Sequence, residues 1–139
     1  MAEKLSREKI QRELSKHLQE GENLLVWGYA TLGLKNCYLG LTDRRLLVNE
    51  RTIKDEDKAL EEVLLADIAE VRVKKPFVLP LDQYLLGLLI KRRHLEIRTH
   101  SGRHLTFILQ RWPQIQGNET VAESILAELQ ARIPGLRTA

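Results

Sequence analysis

The feature that most constrains this chain is a run of short β-type phrases between residues 37 and 74. Cys37-Tyr38-Leu39-Gly40-Leu41-Thr42 is followed by a tight Asp43-Arg44 and then Arg45-Leu46-Leu47-Val48-Asn49-Glu50, which reads as a hairpin. Ala59–Leu65, an Ala66-Asp67 corner and Ile68–Lys74 read as a second strand pair, with a polar loop from Thr52 to Lys58 between the two. In the last phrase Ala69, Val71 and Val73 alternate with Glu70, Arg72 and Lys74, the period of a half-buried strand. Antiparallel strands at such short spacing predict a sandwich or a barrel.

The flanking segments extend this pattern. Leu24 to Leu32 is β-rich and stops at Gly33-Leu34-Lys35-Asn36, a turn. Residues 93–100 and 103–109 alternate again, with Leu95, Ile97, Leu105, Phe107 and Leu109 on one face and Ser101-Gly102 as a two-residue hairpin turn. Residues 3–20 predict a helix with a narrow stripe of Ile10, Leu14 and Leu18, N-capped by Ser6 and stopped by Gly21. A closing helix is expected from Asn118 to Arg132. Its stripe is Val121, Ile125, Leu129 and Ile133, broadened by Ala122 and Leu126. Thr120 to Glu123 reads as a capping box, and Pro134-Gly135 as the stop. The count is seven strands between two helices, and a helix with a broad apolar face must cover an opening in the sheet.

At 139 residues, 43% hydrophobic and 29% charged, the chain has the composition of one soluble globular domain with an aliphatic core. A single cysteine excludes an internal disulfide, and Cys37 within a strand reads as a small buried hydrophobe. The charged opening carries no secretory signal, so a cytoplasmic location is expected.

Order and motifs together resemble the bacterial pleckstrin-homology-like (PH-like) domains and the related GRAM domains. The likeness rests on Leu41-Thr42-Asp43-Arg44-Arg45-Leu46-Leu47-Val48, on Val63 to Val71, and on the upstream Gly21-Glu22-Asn23-Leu24-Leu25; it covers roughly residues 20–132. It implies a seven-stranded antiparallel barrel closed by a C-terminal helix, a PH-like domain over 22–133; the residues themselves add an N-terminal helix over 1–21, an apolar insertion at 76–92 and a tail at 134–139. It implies a binding or adaptor module for a protein partner or an anionic lipid surface, peripheral to the inner face of the membrane, with no enzymatic activity and no cofactor. In the hairpin, Asp43 and Thr42 are expected to hold the turn's backbone, and Arg45 to brace the loop or meet a ligand. The lipid-binding subset carries several basic residues in the loop between the first two strands, where this chain has Lys35 alone.

Net charge is +3, but residues 91–111 hold six Lys/Arg and one Glu. The candidate anionic-surface residues are therefore Lys35, Lys91, Arg92, Arg93 and Arg98. A nucleic-acid binder using the same basic face is the alternative, opposed by the lack of aromatics interleaved with those charges. Residues 76–90 hold one charge, Asp82, and place Phe77, Leu81, Tyr84, Leu85, Leu88 and Leu89 in a candidate apolar interface. Three fates are open to them: the protein's own core, a homo-oligomeric contact, or a membrane surface beside Lys91-Arg92-Arg93-His94. No Gly-rich phosphate loop, His-Glu-x-x-His or cysteine pair occurs. His100 and His104 flank a turn without a third ligand, so neither a catalytic nor a metal site is expected. Trp27 and Trp112 read as packing residues.

Overall fold

The computed structural model describes residues 5–74, 93–109 and 117–138. It is mainly β. Helix α1 (Arg7–Ser15) precedes β1 (Leu24–Leu32), β2 (Lys35–Thr42), β3 (Arg45–Arg51) and β4 (Asp57–Leu64). A 3-10 turn (Leu65–Asp67) leads to β5 (Ile68–Lys74), β6 (Arg93–Thr99) and β7 (His104–Leu109); a second 3-10 turn (Asn118–Thr120) opens helix α2 (Val121–Arg132). All seven strands belong to one antiparallel sheet in the order β4-β3-β2-β1-β7-β6-β5.

That order corrects two expectations. The sheet is not closed into a barrel, and the phrases 59–65 and 68–74 are not a strand pair: β4 and β5 are the two opposite edges. β3 takes the ladder bonds of β4, and β6 takes those of β5. The Leu65–Asp67 turn between them is a corner. Leu65 N–H donates to Arg44 C=O at 3.2 Å and His100 N–H to Asp67 C=O at 2.7 Å. A side chain from the β6–β7 connection also reaches β4: Arg103 Nη2 meets Glu61 Oε2 at 3.0 Å.

Alternation along the strands builds the main core. Leu39 and Leu41 of β2, Leu46 and Val48 of β3, Val63, Val71, Leu95, Ile97, Phe107 and Leu109 meet Val121, Ala122, Ile125 and Leu129 of α2. Gly28 lets α2 come close, since a Cβ there would stand 2.7 Å from both Asn118 Oδ1 and Val121 Cγ2. Asn118 is fully buried; its side chain accepts from Tyr29 N–H at 2.7 Å and donates to Tyr29 C=O at 3.0 Å, continuing the β1 edge where pairing with β7 stops.

A smaller core lies on the other face of β1–β3. Ile10 and Leu14 of α1 cover Tyr38 and Leu47, and Gly40 leaves the space that Leu14 and Leu24 fill. Both faces of β2 are thus buried, which is why Cys37 to Thr42 reads as a continuous apolar run. Arg7 fastens the start of α1: its guanidinium donates to Trp27 C=O at 2.9 Å, and Trp27 Nε1–H donates back to Arg7 C=O at 3.1 Å.

Local expectations meet mixed outcomes. Ser6 is the N-cap, accepting from Lys9 N–H at 3.1 Å. The helix ends at Ser15 rather than near residue 20: the Leu14 and Ser15 carbonyls accept from the N–H groups of His17 and Leu18, three residues on, and the His17 and Glu20 carbonyls accept from arginine side chains, as described below. Thr120 forms no capping box; it is helical (φ −100°, ψ −2°) and its hydroxyl donates to Gly117 C=O at 3.0 Å. The preceding 3-10 turn supplies the acceptor for Val121 N–H instead. The β6–β7 connection is longer than two residues. Gly102 N–H donates to Thr99 C=O and Thr99 N–H to Arg103 C=O, with Gly102 at φ 97°, a three-residue loop that needs glycine at its left-handed position. β4 starts at Asp57, where the sequence suggested loop as far as Lys58.

Candidate functional site

Three polar constructions compete for a functional role. The first ties the β2–β3 turn to the segment before β1. Arg45 Nε and Nη2 reach the two carboxylate oxygens of Glu22 at 3.0 Å each, a bidentate pair, while Nη1 reaches Glu62 at 2.6 Å and Nη2 donates to His17 C=O at 2.9 Å. Thr42 Oγ1 donates to Glu22 at 2.6 Å and accepts from Arg44 and Arg45 N–H at 3.0 Å. Arg44 Nη2 donates to Glu20 C=O at 3.1 Å. Asp43 works across the turn, accepting from Asn23 N–H at 3.1 Å. Arg45 thus braces the loop, and Thr42 rather than Asp43 holds the turn's own N–H groups. The Glu22 side chain is fully buried, and the Arg45 hydrogen bonds outweigh its desolvation, lowering its pKa to about 2. The same pairing raises the pKa of Arg45. Every strong donor in this knot points at a protein acceptor, so it fixes loops and offers a ligand little.

The second construction lies beneath α1. Asp55, the only described non-glycine residue with positive φ (62°), accepts from Lys9 Nζ at 2.7 Å, from the Tyr38 hydroxyl and from Arg51 Nε at 3.3 Å. Arg51 stacks over the Tyr38 ring at 4.2 Å and also reaches Glu13 at 3.3 Å. Asp57 accepts from Asn49 Nδ2 at 2.9 Å and meets His17 Nε2 at 2.8 Å. Burial would raise the pKa of Asp55, but hydrogen bonds from Lys9 and Tyr38 prevail and hold it below the ordinary value. Burial raises the pKa of Tyr38, and the hydrogen bond to Asp55 adds to the effect. An open cleft of about 450 Å³ beside this cluster is lined by charged residues of both signs, among them Arg12, Lys16, Lys54 and Glu56.

The third is a surface. Leu34 at the β1–β2 turn and Ile53 at the β3–β4 loop are exposed to 104% and 99%, as far from cover as side chains can be. The β2–β3 register, with Asn36 opposite Arg51, puts both tips at one end of the sheet. Their spacing is about 10 Å, two strand separations. Lys35 and Lys58 stand behind the tips, each ion-paired with Glu50 (3.8 and 3.0 Å) yet about half exposed, and Lys54 follows Ile53. Asp55 links this surface to the cluster under α1, since it fixes the loop that carries Ile53.

Of the sequence-predicted binding residues, Lys35 lies at this surface. Arg93 is ion-paired with Glu123 of α2 at 2.8 Å. Arg98 is exposed in β6, opposite Glu70 of β5 and His104 of β7. With Arg103 held by Glu61, the described basic residues of this stretch lie among acidic partners. Lys91, Arg92 and the whole apolar group Phe77, Leu81, Tyr84, Leu85, Leu88 and Leu89 lie outside the described residues, as does Trp112. Leu34, Ile53 and Lys54 belong to no binding motif in the sequence; a lone aliphatic residue inside an otherwise polar turn is the signal that marks the first two. His100 and His104 are exposed, and among the described residues no three His, Cys, Asp or Glu side chains gather to hold a metal. Nor is any described helix long and apolar enough to cross a membrane.

No family model matches the chain, and no curated protein matches it. Solved structures share the fold. The hSac2 domain from human phosphoinositide phosphatase Sac2 superposes with a TM-score of 0.56 at 15% identity, covering 98% of this chain and 90% of that one. The C-terminal domain of an unknown protein from Leishmania infantum gives a TM-score of 0.53 at 15% identity, covering 88% and 97%.

Proposed function

We propose that this chain is a PH-like binding module that attaches to anionic membrane surfaces through the paired tips of its β1–β2 and β3–β4 hairpins. The observation that carries the reading is the complete exposure of Leu34 and Ile53 on neighbouring tips, backed by Lys35, Lys54 and Lys58. Apolar insertion beside basic residues is the physical pairing that peripheral attachment needs. Burying each aliphatic side chain contributes roughly 1.5–3 kcal/mol, and each lysine near an anionic surface about 1 kcal/mol. The sum favours reversible attachment. The seven-strand order, the covering helix α2 and the Thr42–Arg45 knot support the PH-like assignment, and a fold neighbour from a phosphoinositide phosphatase agrees with a lipid surface. Binding rather than catalysis is favoured because the buried ionisable groups of the Glu22 knot and the Asp55 cluster are engaged with one another.

The test is co-sedimentation with vesicles of phosphatidylcholine containing phosphatidylserine, beside phosphatidylcholine alone. The unmodified chain is expected to pellet with the anionic vesicles only. Leu34→Ser/Ile53→Ser and Lys35→Glu/Lys54→Glu, both at exposed positions, should keep the fold and lose binding. Undiminished pelleting of both variants would overturn the reading, as would no pelleting by the unmodified chain.

A further inference from the structure

The outer edge of β5 already holds an extended strand, which is supplied by the chain itself. Beyond α2 the backbone turns at Gly135 (φ 75°) and runs alongside β5. Arg137 N–H donates to Ala69 C=O at 3.3 Å, and Val71 N–H donates to Arg137 C=O at 2.8 Å. This is a parallel bridge that sets Arg137 opposite Glu70. Leu136, half-buried, packs against the main core. Two backbone bonds and one aliphatic anchor therefore hold a very short segment in place.

Among the described residues, the edge extends past the bridge at Arg137. Ala69 and Val71 direct their backbone groups outward, so by the strand's period Val73 does too. Val71 C=O and Val73 N–H are the next acceptor and donor along a parallel ladder, and among the described residues no backbone group pairs with them. A cleft of about 340 Å³ opens there, lined by Glu70, Arg72, Arg137 and Thr138. Residues 70, 72 and 74 share one face of β5. A strand continuing in the tail's register would thus set its next residues on that face beside Arg72 and Lys74, which are ion-paired with Glu70 at 2.5 Å and Glu96 at 3.3 Å yet remain 41% and 52% exposed, so an incoming carboxylate shares these cations with the chain's own glutamates.

We infer that the β5 edge is a strand-addition site for an extended segment of a partner protein, and that the tail is the occupant such a segment displaces. The matching segment runs parallel to β5. It carries an aliphatic residue in the Leu136 position, a basic residue opposite Glu70, and acidic residues two and four places further on, against Arg72 and Lys74. Main-chain bonds supply the attachment and the alternate side chains the selectivity. The site lies along the β5 edge, whereas the hairpin tips stand at one end of β1–β4.

The probe is a labelled synthetic peptide with the sequence of residues 133–138, extended to place glutamates two and four residues beyond its arginine. It is titrated into the full chain and into the full chain carrying Leu136→Asp, which frees the edge by removing the tail's anchor. The variant is expected to bind about tenfold more tightly, since a tethered competitor is gone. Bound peptide should protect the Val71 and Val73 amides from hydrogen exchange, and N-methylation of the peptide's arginine nitrogen should abolish binding. A folded variant that does not bind, or binding that leaves both amides unprotected, would overturn the inference. Should Leu136→Asp not fold, the unmodified chain decides at millimolar peptide: a Val73 amide resonance that shifts supports the site, and one that does not removes it.

Discussion

Replacing Glu22 with glutamine keeps the side chain's shape and removes the charge that Arg45 grips from both sides. Glu22 titrates at about 2 in the folded protein against an ordinary 4.5. At about 1.4 kcal/mol per pKa unit, the ionised carboxylate contributes about 3 kcal/mol to folding. The sign follows from the direction of the shift. A depressed carboxyl stabilises the fold fully above its unfolded pKa and progressively less as pH falls through the folded one. Glu22→Gln should therefore be about 3 kcal/mol less stable than the unmodified chain at pH 7. Breaking a buried pair from one side by other routes costs about 3–5 kcal/mol, which agrees. The gap should hold down to about pH 5, shrink between pH 4.5 and 2, and vanish near the lower limit. Urea denaturation followed by circular dichroism at pH 7, 5, 4 and 3, with comparable m-values, measures it directly. A difference at pH 7 below about 1 kcal/mol, or one independent of pH, would refute the claim that this carboxylate is held as an ion by Arg45.

Gly28→Ala should destabilise by about 1–3 kcal/mol, because its methyl would meet Asn118 Oδ1 and Val121 Cγ2 at 2.7 Å; a lowered urea midpoint with unchanged m reports it. Cys37 is fully buried, and desolvation raises its pKa to about 11, so a thiol reagent at pH 8 should label it only in denaturant; rapid labelling of the native protein would contradict its place in the core.

Much of the fold was readable where pattern and neighbour are both local. The alternation in 93–109 predicted β6, β7 and four of their buried residues, Leu95, Ile97, Phe107 and Leu109. The corner at Ala66-Asp67 misled for a physical reason. Two β phrases joined by a short turn look the same whether they pair with each other or turn away, and the choice was made by β3 and β6, distant in sequence. The Glu22–Arg45 knot was half legible. Both phrases stood out, but no local pattern links a carboxylate to a guanidinium 23 residues on. Asp55 left no mark at all. One acidic residue in the polar Thr52–Lys58 stretch looks like the next, and only the tertiary bonds to Lys9, Tyr38 and Arg51 hold it in a left-handed conformation.

Helix α1 bears on where this protein can be cut. It is the outer wall over β2 and β3, and a fragment starting at Glu22 would bare Tyr38 and Leu47 to water. The same cut would take away Lys9 and Glu13, leaving Arg51 and a conformationally strained Asp55 with fewer partners. The loop bearing Ile53 would loosen with them. The smallest fragment that keeps both hairpin tips in position therefore starts at or before Leu5, and an affinity tag or fluorescent fusion belongs upstream of that residue.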